Sequence, residues 1–212
     1  MRYPVPLTIT TRSPLVLRDL DLLKRLPVLS VNFSLQTMNT EVWKAMEPST
    51  PSPAKRLEAV QALTQAGIPV GVFMAPILPR LTDREADLRA VMEKAAEASV
   101  SFVMASYLRL TPDVKVWFFR NLEEKYPHLV PLYAELYQAS AYLPRAYKDP
   151  KDALIRSLLK EYRLNDTDRD SRFFGSMTAS KGITAPHGMA STTEGASFEP
   201  EPEPVQLSFT FA

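Results

Sequence analysis

Four short stretches of this chain gather hydroxyl, amide and guanidinium groups: Thr10-Thr11-Arg12-Ser13, Ser34-Leu35-Gln36-Thr37, Pro76-Ile77-Leu78-Pro79-Arg80 and Ser106-Tyr107-Leu108-Arg109. Three of the four carry an arginine and three carry hydroxyls. A guanidinium fork takes up a carboxylate through two parallel hydrogen bonds, and hydroxyls add donors and acceptors around it. Gathered into one mouth, these groups would hold carboxylate, ribose and amide parts of a ligand. The competing view is that polar residues simply mark loops, where they are common anyway.

Each stretch follows an apolar run that reads as a strand: Pro6 to Thr10, Val28 to Leu35, Ile68 to Ala75 and Val100 to Ala105. Helical patterns alternate with them. The clearest unit is Pro51 to Asp83. Ser52 can cap a helix and Pro53 suits its first position, where an N–H would go unpaired. Leu57, Val60 and Leu63 recur at helical spacing, with Lys55, Arg56, Glu58 and Gln61 read as the polar remainder. Gly67 ends the helix, because a residue without Cβ takes a left-handed backbone cheaply. Ile68 to Ala75 is nearly all apolar, which predicts a parallel strand covered on both faces. Thr82 and Glu85 have capping-box spacing for the next helix, whose stripe is Leu88, Val91, Met92, Ala95 and Ala96. A helix with Val16, Leu20 and Leu23 on one face is expected after the first strand, and a short one over Thr40 to Met46.

Strands alternating with helices force a parallel sheet with right-handed crossovers. Ligands in such sheets sit beyond the carboxyl ends of the strands, which is where the four polar stretches fall. From Pro112 to about Arg163 the pattern is helical throughout. Thr111-Pro112 opens one helix with Val114, Trp117, Phe118 and Leu122 apolar; Leu129, Leu132, Tyr133, Leu136 and Tyr137 mark a second; Asp149-Pro150 starts a third with Leu154, Leu158 and Leu159. The aromatic residues from Trp117 to Tyr147 read as helix packing rather than a base-stacking platform. From about Ser176 the chain turns to Gly, Ser, Thr, Pro and Glu, a composition that predicts disorder. The expected division is 1–111 for the sheet domain, 112–175 for a helical extension and 176–212 for a disordered tail.

Composition narrows the chemistry. The 212 residues carry 25 Lys plus Arg against 24 Asp plus Glu, so charge gives no support to a nucleic-acid partner. There are no cysteines, which excludes disulfides and thiolate-held metals or clusters built from this chain alone. No apolar run approaches the roughly 20 residues that span a bilayer. Met1-Arg2-Tyr3-Pro4 lacks the apolar core of a signal peptide, so a cytoplasmic location and no membrane partner are expected. Paired carboxylates, a glycine-rich phosphate loop and a nucleophile elbow are all missing, and His128 and His187 stand alone.

The text of the strand ends and their flanks resembles the radical S-adenosylmethionine superfamily, in its spore photoproduct lyase-like, "DNA repair photolyase" branch. The matching residues are Thr10 to Leu23, the Ser34 strand, Glu47-Pro48, Ser52 to Ala59, Ala66 to Val72, Ala75-Pro76-Ile77-Leu78-Pro79 and Leu81-Thr82-Asp83, within a coverage of roughly Pro6 to Gly175. The resemblance implies a partial (β/α)6 barrel, with about four parallel strands present here and the helical extension following. It implies S-adenosylmethionine as cofactor, cleaved reductively by a [4Fe–4S] cluster to a 5′-deoxyadenosyl radical that abstracts hydrogen from substrate. By the same resemblance Arg12, between Thr11 and Ser13, stands where the branch has a lysine facing the cofactor's carboxylate. Ser34 approaches its ribose or amino-acid part, Ala75 and Pro76 line the adenine side, and Arg109 lies near substrate or cofactor.

The departure is the cluster loop. The family's CxxxCxxC segment has no counterpart in a chain without cysteine, and the text begins at what looks like the family's third strand. Two expectations follow. In one, the chain is the C-terminal portion of a radical enzyme, inactive alone, with a second chain or a missing N-terminal segment completing the barrel. In the other, it is a degenerate, non-catalytic interaction module. The parallel edge near Pro6 to Thr10 is a liability for association in either case. Separately, Gln206-Leu207-Ser208-Phe209-Thr210-Phe211 is similar to the short peptide that binds bacterial sliding clamps, an extended segment with alternating apolar side chains suited to a groove.

Overall fold

A computed structural model of the protein describes residues 7–164; the expectations for the tail, His187 and Gln206 to Phe211 lie outside them. Four strands, β1 (Leu7–Thr11), β2 (Val28–Ser34), β3 (Val70–Ile77) and β4 (Phe102–Tyr107), form one sheet in the order β1-β2-β3-β4. Every pair is parallel. The helices are α1 (Leu20–Leu23), α2 (Thr40–Met46), α3 (Pro53–Gln65), α4 (Glu85–Glu97), α5 (Pro112–Lys125), α6 (Val130–Leu136) and α7 (Arg145–Glu161). The α/β class, the four parallel strands and the helical run after β4 are those the alternation predicts.

Local chemistry explains most boundaries. The Ser52 hydroxyl accepts from the Lys55 amide at 3.3 Å, and Pro53 occupies the first position of α3. Gly67 takes φ +79°, which stops the helix and lets the Ile68 amide reach back to the Leu63 carbonyl. Thr111 and Pro112 open α5 as expected. Other expectations fail. Thr82 forms no capping box, because its buried hydroxyl accepts from the Leu78 amide at 2.8 Å and Arg84 becomes the N-cap of α4 without a side-chain bond. After β1 the chain makes a 3-10 turn over Pro14–Asp19 and only one short α-turn, α1, because Ser13 and Pro14 favour the tighter start. α7 begins at Arg145, so Pro150 lies inside it. Proline has no N–H to give the Ala146 carbonyl, and Ala146 is exposed.

The sheet has two unlike faces. On one, Val31, Phe33, Val70, Val72, Met74 and Val103 pack with Val60 and Leu63 of α3, Leu88, Val91, Met92 and Ala95 of α4, and Ile155 and Leu158 of α7. Cross-strand partners in a ladder point the same way, so the other face carries Thr8, Thr10, Ser30, Asn32, Gly71, Phe73, Phe102 and Met104. None of these joins the helical core. β3 is largely buried, as a strand covered on both faces should be, but among the described residues its apolar contacts with helices lie on one face only. Its small residue Gly71 admits the neighbouring Phe102 ring and Asn32 amide, which an added Cβ would meet at 2.4 and 2.5 Å.

A second core lies where the strands end. Phe118 and Leu122 of α5, Tyr133 and Leu136 of α6, and Tyr137 just after α6 pack on Leu78, Leu81, Leu108 and Leu110. The Tyr133 hydroxyl donates to the Pro79 carbonyl at 2.9 Å and that of Tyr137 to the Leu108 carbonyl at 2.8 Å. These rings are structural, as expected. Val114 and Trp117, predicted on the same apolar face, are exposed instead. Phe118 takes the inward position, with its ring centre 5.3 Å from that of Tyr133.

Candidate functional site

At the end of β1 the turn that carries Arg12 is self-tied. The Thr11 hydroxyl accepts from the Ser13 amide at 3.0 Å, and the Ser13 hydroxyl accepts from the Leu15 amide at 3.2 Å. The oxygens of Thr11 and Ser13 are thus spent as acceptors within the loop, and the turn projects Arg12 outward. Its side chain is 52% exposed and donates through Nη1 to Glu47 Oε1 at 3.2 Å.

Glu47 is shared. Its second oxygen accepts from Nη2 of Arg56 at 2.6 Å, and the Arg56 side chain is only 1% exposed. Arg56 also donates through Nε to the Pro51 carbonyl at 2.8 Å, through Nη1 to the Ser34 carbonyl at 2.9 Å, and to the Thr50 hydroxyl. The Trp43 indole donates to that same hydroxyl at 3.1 Å. A buried guanidinium is tolerated only with this degree of pairing. One side chain thereby fixes the end of β2, the loop after α2 and the carboxylate that orients Arg12. The sequence reading placed Arg56 among the polar residues of α3. The signal was present: Arg56, Ala59, Val60 and Leu63 follow the i, i+3, i+4, i+7 spacing of the buried stripe.

Ser34 ends β2 half-buried beside Phe73 of β3, and its hydroxyl has no partner among the described residues. Ala75 and Pro76 follow on β3, joined by a cis peptide, at an irregularity in the pairing with β4 between Met74 and Ile77. The loop beyond is fastened. The Arg80 amide donates to Asp83 Oδ1 at 2.8 Å, with Arg80 at φ 63°. The other Asp83 oxygen accepts from the Tyr147 hydroxyl at 2.7 Å. Lys151 donates to the Asp83 carbonyl at 2.8 Å. Burial and the neighbouring Asp83 carboxylate push the Tyr147 hydroxyl well above the usual tyrosine range.

Arg109 stands apart from this group. It lies past the end of β4, with its guanidinium carbon 5.0 Å from the centre of the Tyr142 ring, and lines a separate cavity of about 560 Å³ at the opposite end of the sheet from β1. The structure therefore links Arg12 to the Ser34 strand end through Glu47 and Arg56, and sets Ala75 and Pro76 on the adjacent strand. Buried Ser30 Oγ and Asn32 Oδ1, on the face of β2 opposite the apolar core, have no hydrogen-bond partner among the described residues. An unpaired buried polar atom costs about 1–3 kcal/mol.

These donors fit part of an amino-acid-bearing nucleoside such as S-adenosylmethionine: an exposed guanidinium for a carboxylate and an unpartnered hydroxyl for a ribose. They do not fit an iron–sulfur cluster. The sequence has no cysteine, and among the described residues no group of three His, Asp or Glu side chains could hold a metal ion. Nor, among the described residues, is any helix long and apolar enough to cross a membrane.

Residues 2–92 match the family model for the radical SAM superfamily. The chain is 35% identical over 163 residues to an uncharacterized protein of Mycobacterium tuberculosis, Rv2578c, covering 75% of this chain and 48% of that one. It is 39% identical over 79 residues to an uncharacterized protein of Methanocaldococcus jannaschii, MJ0683, covering 37% of this chain and 30% of that one. Among solved structures it is similar to spore photoproduct lyase complexed with dinucleoside spore photoproduct, with a TM-score of 0.53 and 18% identity over 74% of this chain and 48% of that one. At that identity the likeness is one of fold. The chain spans about half the length of the Mycobacterium relative and of the lyase.

Proposed function

We propose that this chain, whose residues 2–92 match the radical SAM superfamily model, forms the cofactor- and substrate-facing part of a radical S-adenosylmethionine barrel whose cluster ligands stand on a separate polypeptide segment. One observation carries this reading. A parallel sheet is normally covered on both faces, yet here, among the described residues, the face bearing Thr8, Thr10, Ser30 and Asn32 contributes nothing to the apolar core shared with the helices and keeps the buried Ser30 Oγ and Asn32 Oδ1 unpaired. Such a face belongs to the interior of a closed barrel. The half coverage of the relatives supports the same view.

In this reading Arg12, held by Glu47, takes the cofactor's carboxylate through the donors Glu47 leaves open. Ser34 offers its hydroxyl to the ribose or amino-acid part, and Ala75 and Pro76 lie against the adenine. Arginine in place of lysine keeps the charge and adds a fork. The protein acts in the cytoplasm, and the partner is a CxxxCxxC-bearing segment that pairs along β1. No step of the radical chemistry is assigned to residues of this chain.

The test is anaerobic reconstitution with iron and sulfide, of the chain alone and co-expressed with the CxxxCxxC-bearing half of a full-length relative. Formation of 5′-deoxyadenosine by the pair and not by either half is the expected result. A cluster assembled on the chain alone, or no association between the halves, would sink it. The zero cysteine count favours a second reading, a non-catalytic module that keeps the fold for docking. That reading predicts binding of a partner with no S-adenosylmethionine affinity in any combination. The tail segment Gln206 to Phe211 is a further proposed contact, with a sliding clamp; absence of binding by the isolated peptide in fluorescence polarisation would remove it.

A further inference from the structure

The cavity beyond β4 is built differently from the Arg12 group. Arg109, Tyr107, Ser106, Lys148, Asp152 and Tyr142 all contribute to its wall. Arg109 makes no ion pair among the described residues; its guanidinium carbon lies 5.0 Å from the centre of the Tyr142 ring. A cation held over a ring keeps its N–H groups available to a bidentate acceptor. Tyr107 Oη is buried, with no partner at full hydrogen-bond geometry and the Asp152 carboxylate as its nearest charged neighbour. Lys148 lies over the Tyr107 ring, with Nζ 5.9 Å from its centre, and reaches Asp152 at 3.7 Å, longer than a hydrogen bond. Asp152 offsets one of the two cations, which leaves the site one positive charge.

We propose that this cavity binds a phosphate ester, its oxygens taken by the Arg109 fork, the Tyr107 and Ser106 hydroxyls and the Lys148 ammonium. A phosphate offers more acceptor oxygens than a carboxylate, and this wall offers more donors than a carboxylate uses. Two cations against one carboxylate on the wall suit an anionic group. Desolvation, with Asp152 adding to it, raises the Tyr107 hydroxyl above the ordinary tyrosine range, so it remains a protonated donor at neutral pH. The site goes beyond the cofactor reading and stands on its own geometry, so its failure would leave the barrel assignment untouched.

The experiment titrates the full chain with inorganic phosphate, dimethyl phosphate and acetate at about 0.15 M salt, where distant charges are screened. The readout is the Arg Nε–Hε cross-peaks in an ¹⁵N correlation spectrum. Saturable phosphate binding that moves one arginine signal is expected, with Arg109→Ala weakening it about tenfold, the loss of one charge-assisted bond. Tyr107→Phe keeps the ring and removes only the donor, and should weaken binding about threefold or more by the same reasoning. Arg120→Ala, an exposed arginine on α5, should change nothing. A monoester is indicated if inorganic phosphate binds better than dimethyl phosphate, and a diester if the order reverses. Binding that fails to saturate, that survives both Arg109→Ala and Tyr107→Phe, or that is tighter for acetate than for either phosphate overturns the proposal.

Discussion

Two arginines stand beside strand ends of the same sheet and have opposite fates. Arg56 is 1% exposed and bonded to Ser34, Glu47, Thr50 and Pro51. Arg109 is exposed, held over the Tyr142 ring, with no ion pair among the described residues. The first fixes the backbone of one corner; the second leaves the other corner open to a ligand. The difference teaches that an arginine at a polar strand end says little by itself. Saturation and burial separate a scaffold group from a binding group.

Arg56→Ala is the strongest way to break that contrast. It leaves the Ser34 carbonyl without its Arg56 donor and Glu47 with Arg12 as its only ion-pair partner among the described residues, and should cost about 3–5 kcal/mol in denaturant unfolding. A loss below about 1 kcal/mol would mean that the corner is held by something else. Next comes the alkaline limb. Tyr133, Tyr137 and Tyr147 are all raised above the ordinary tyrosine range, desolvation being the largest cause in each. Their neutral forms are favoured in the folded state. The stability they contribute is therefore full below the unfolded pKa of about 10 and lost as pH climbs from there toward the folded values. Absorbance of tyrosinate should rise together with unfolding, not before it.

Gly71→Ala is the third probe. A Cβ there meets Phe102 Cζ at 2.4 Å and Asn32 Oδ1 at 2.5 Å, so both must shift, at about 1–3 kcal/mol. A neutral result would show that the face opposite the apolar core is looser than described. Smaller still is Ser52→Ala, which removes the cap of α3 for about 1 kcal/mol. Arg109→Ala should fall within about 0.5 kcal/mol of the parent in stability, which sharpens the contrast with Arg56 from the other side.

Much of the scaffold was readable from the residues. Apolar runs placed all four strands to within two or three residues, and Ser52, Pro53 and Gly67 bounded α3 because their backbone preferences are local. What was not readable depends on contacts distant in sequence. Thr82 looks like a cap, but a carbonyl-side loop takes its hydroxyl first. Pro150 looks like a start, yet helix-forming neighbours and water let α7 begin at Arg145. Arg56 looks solvated because charge masks its place in the buried stripe. Arg12 and Ser34 were visible as polar strand ends, but Glu47, which ties them, needed coordinates. Separating Arg109 from that group also required knowing which strand lies at which end of the sheet.

Asp83 adds a temporal dimension. Tyr147 and Lys151, the residues that fasten it, follow 64 and 68 positions later. During translation Asp83 leaves the ribosome well before either partner, and closing so long a loop comes after local structure has formed. The turn beyond β3 thus stays unlatched until the last described helix emerges, which makes α7 the piece whose arrival closes that turn.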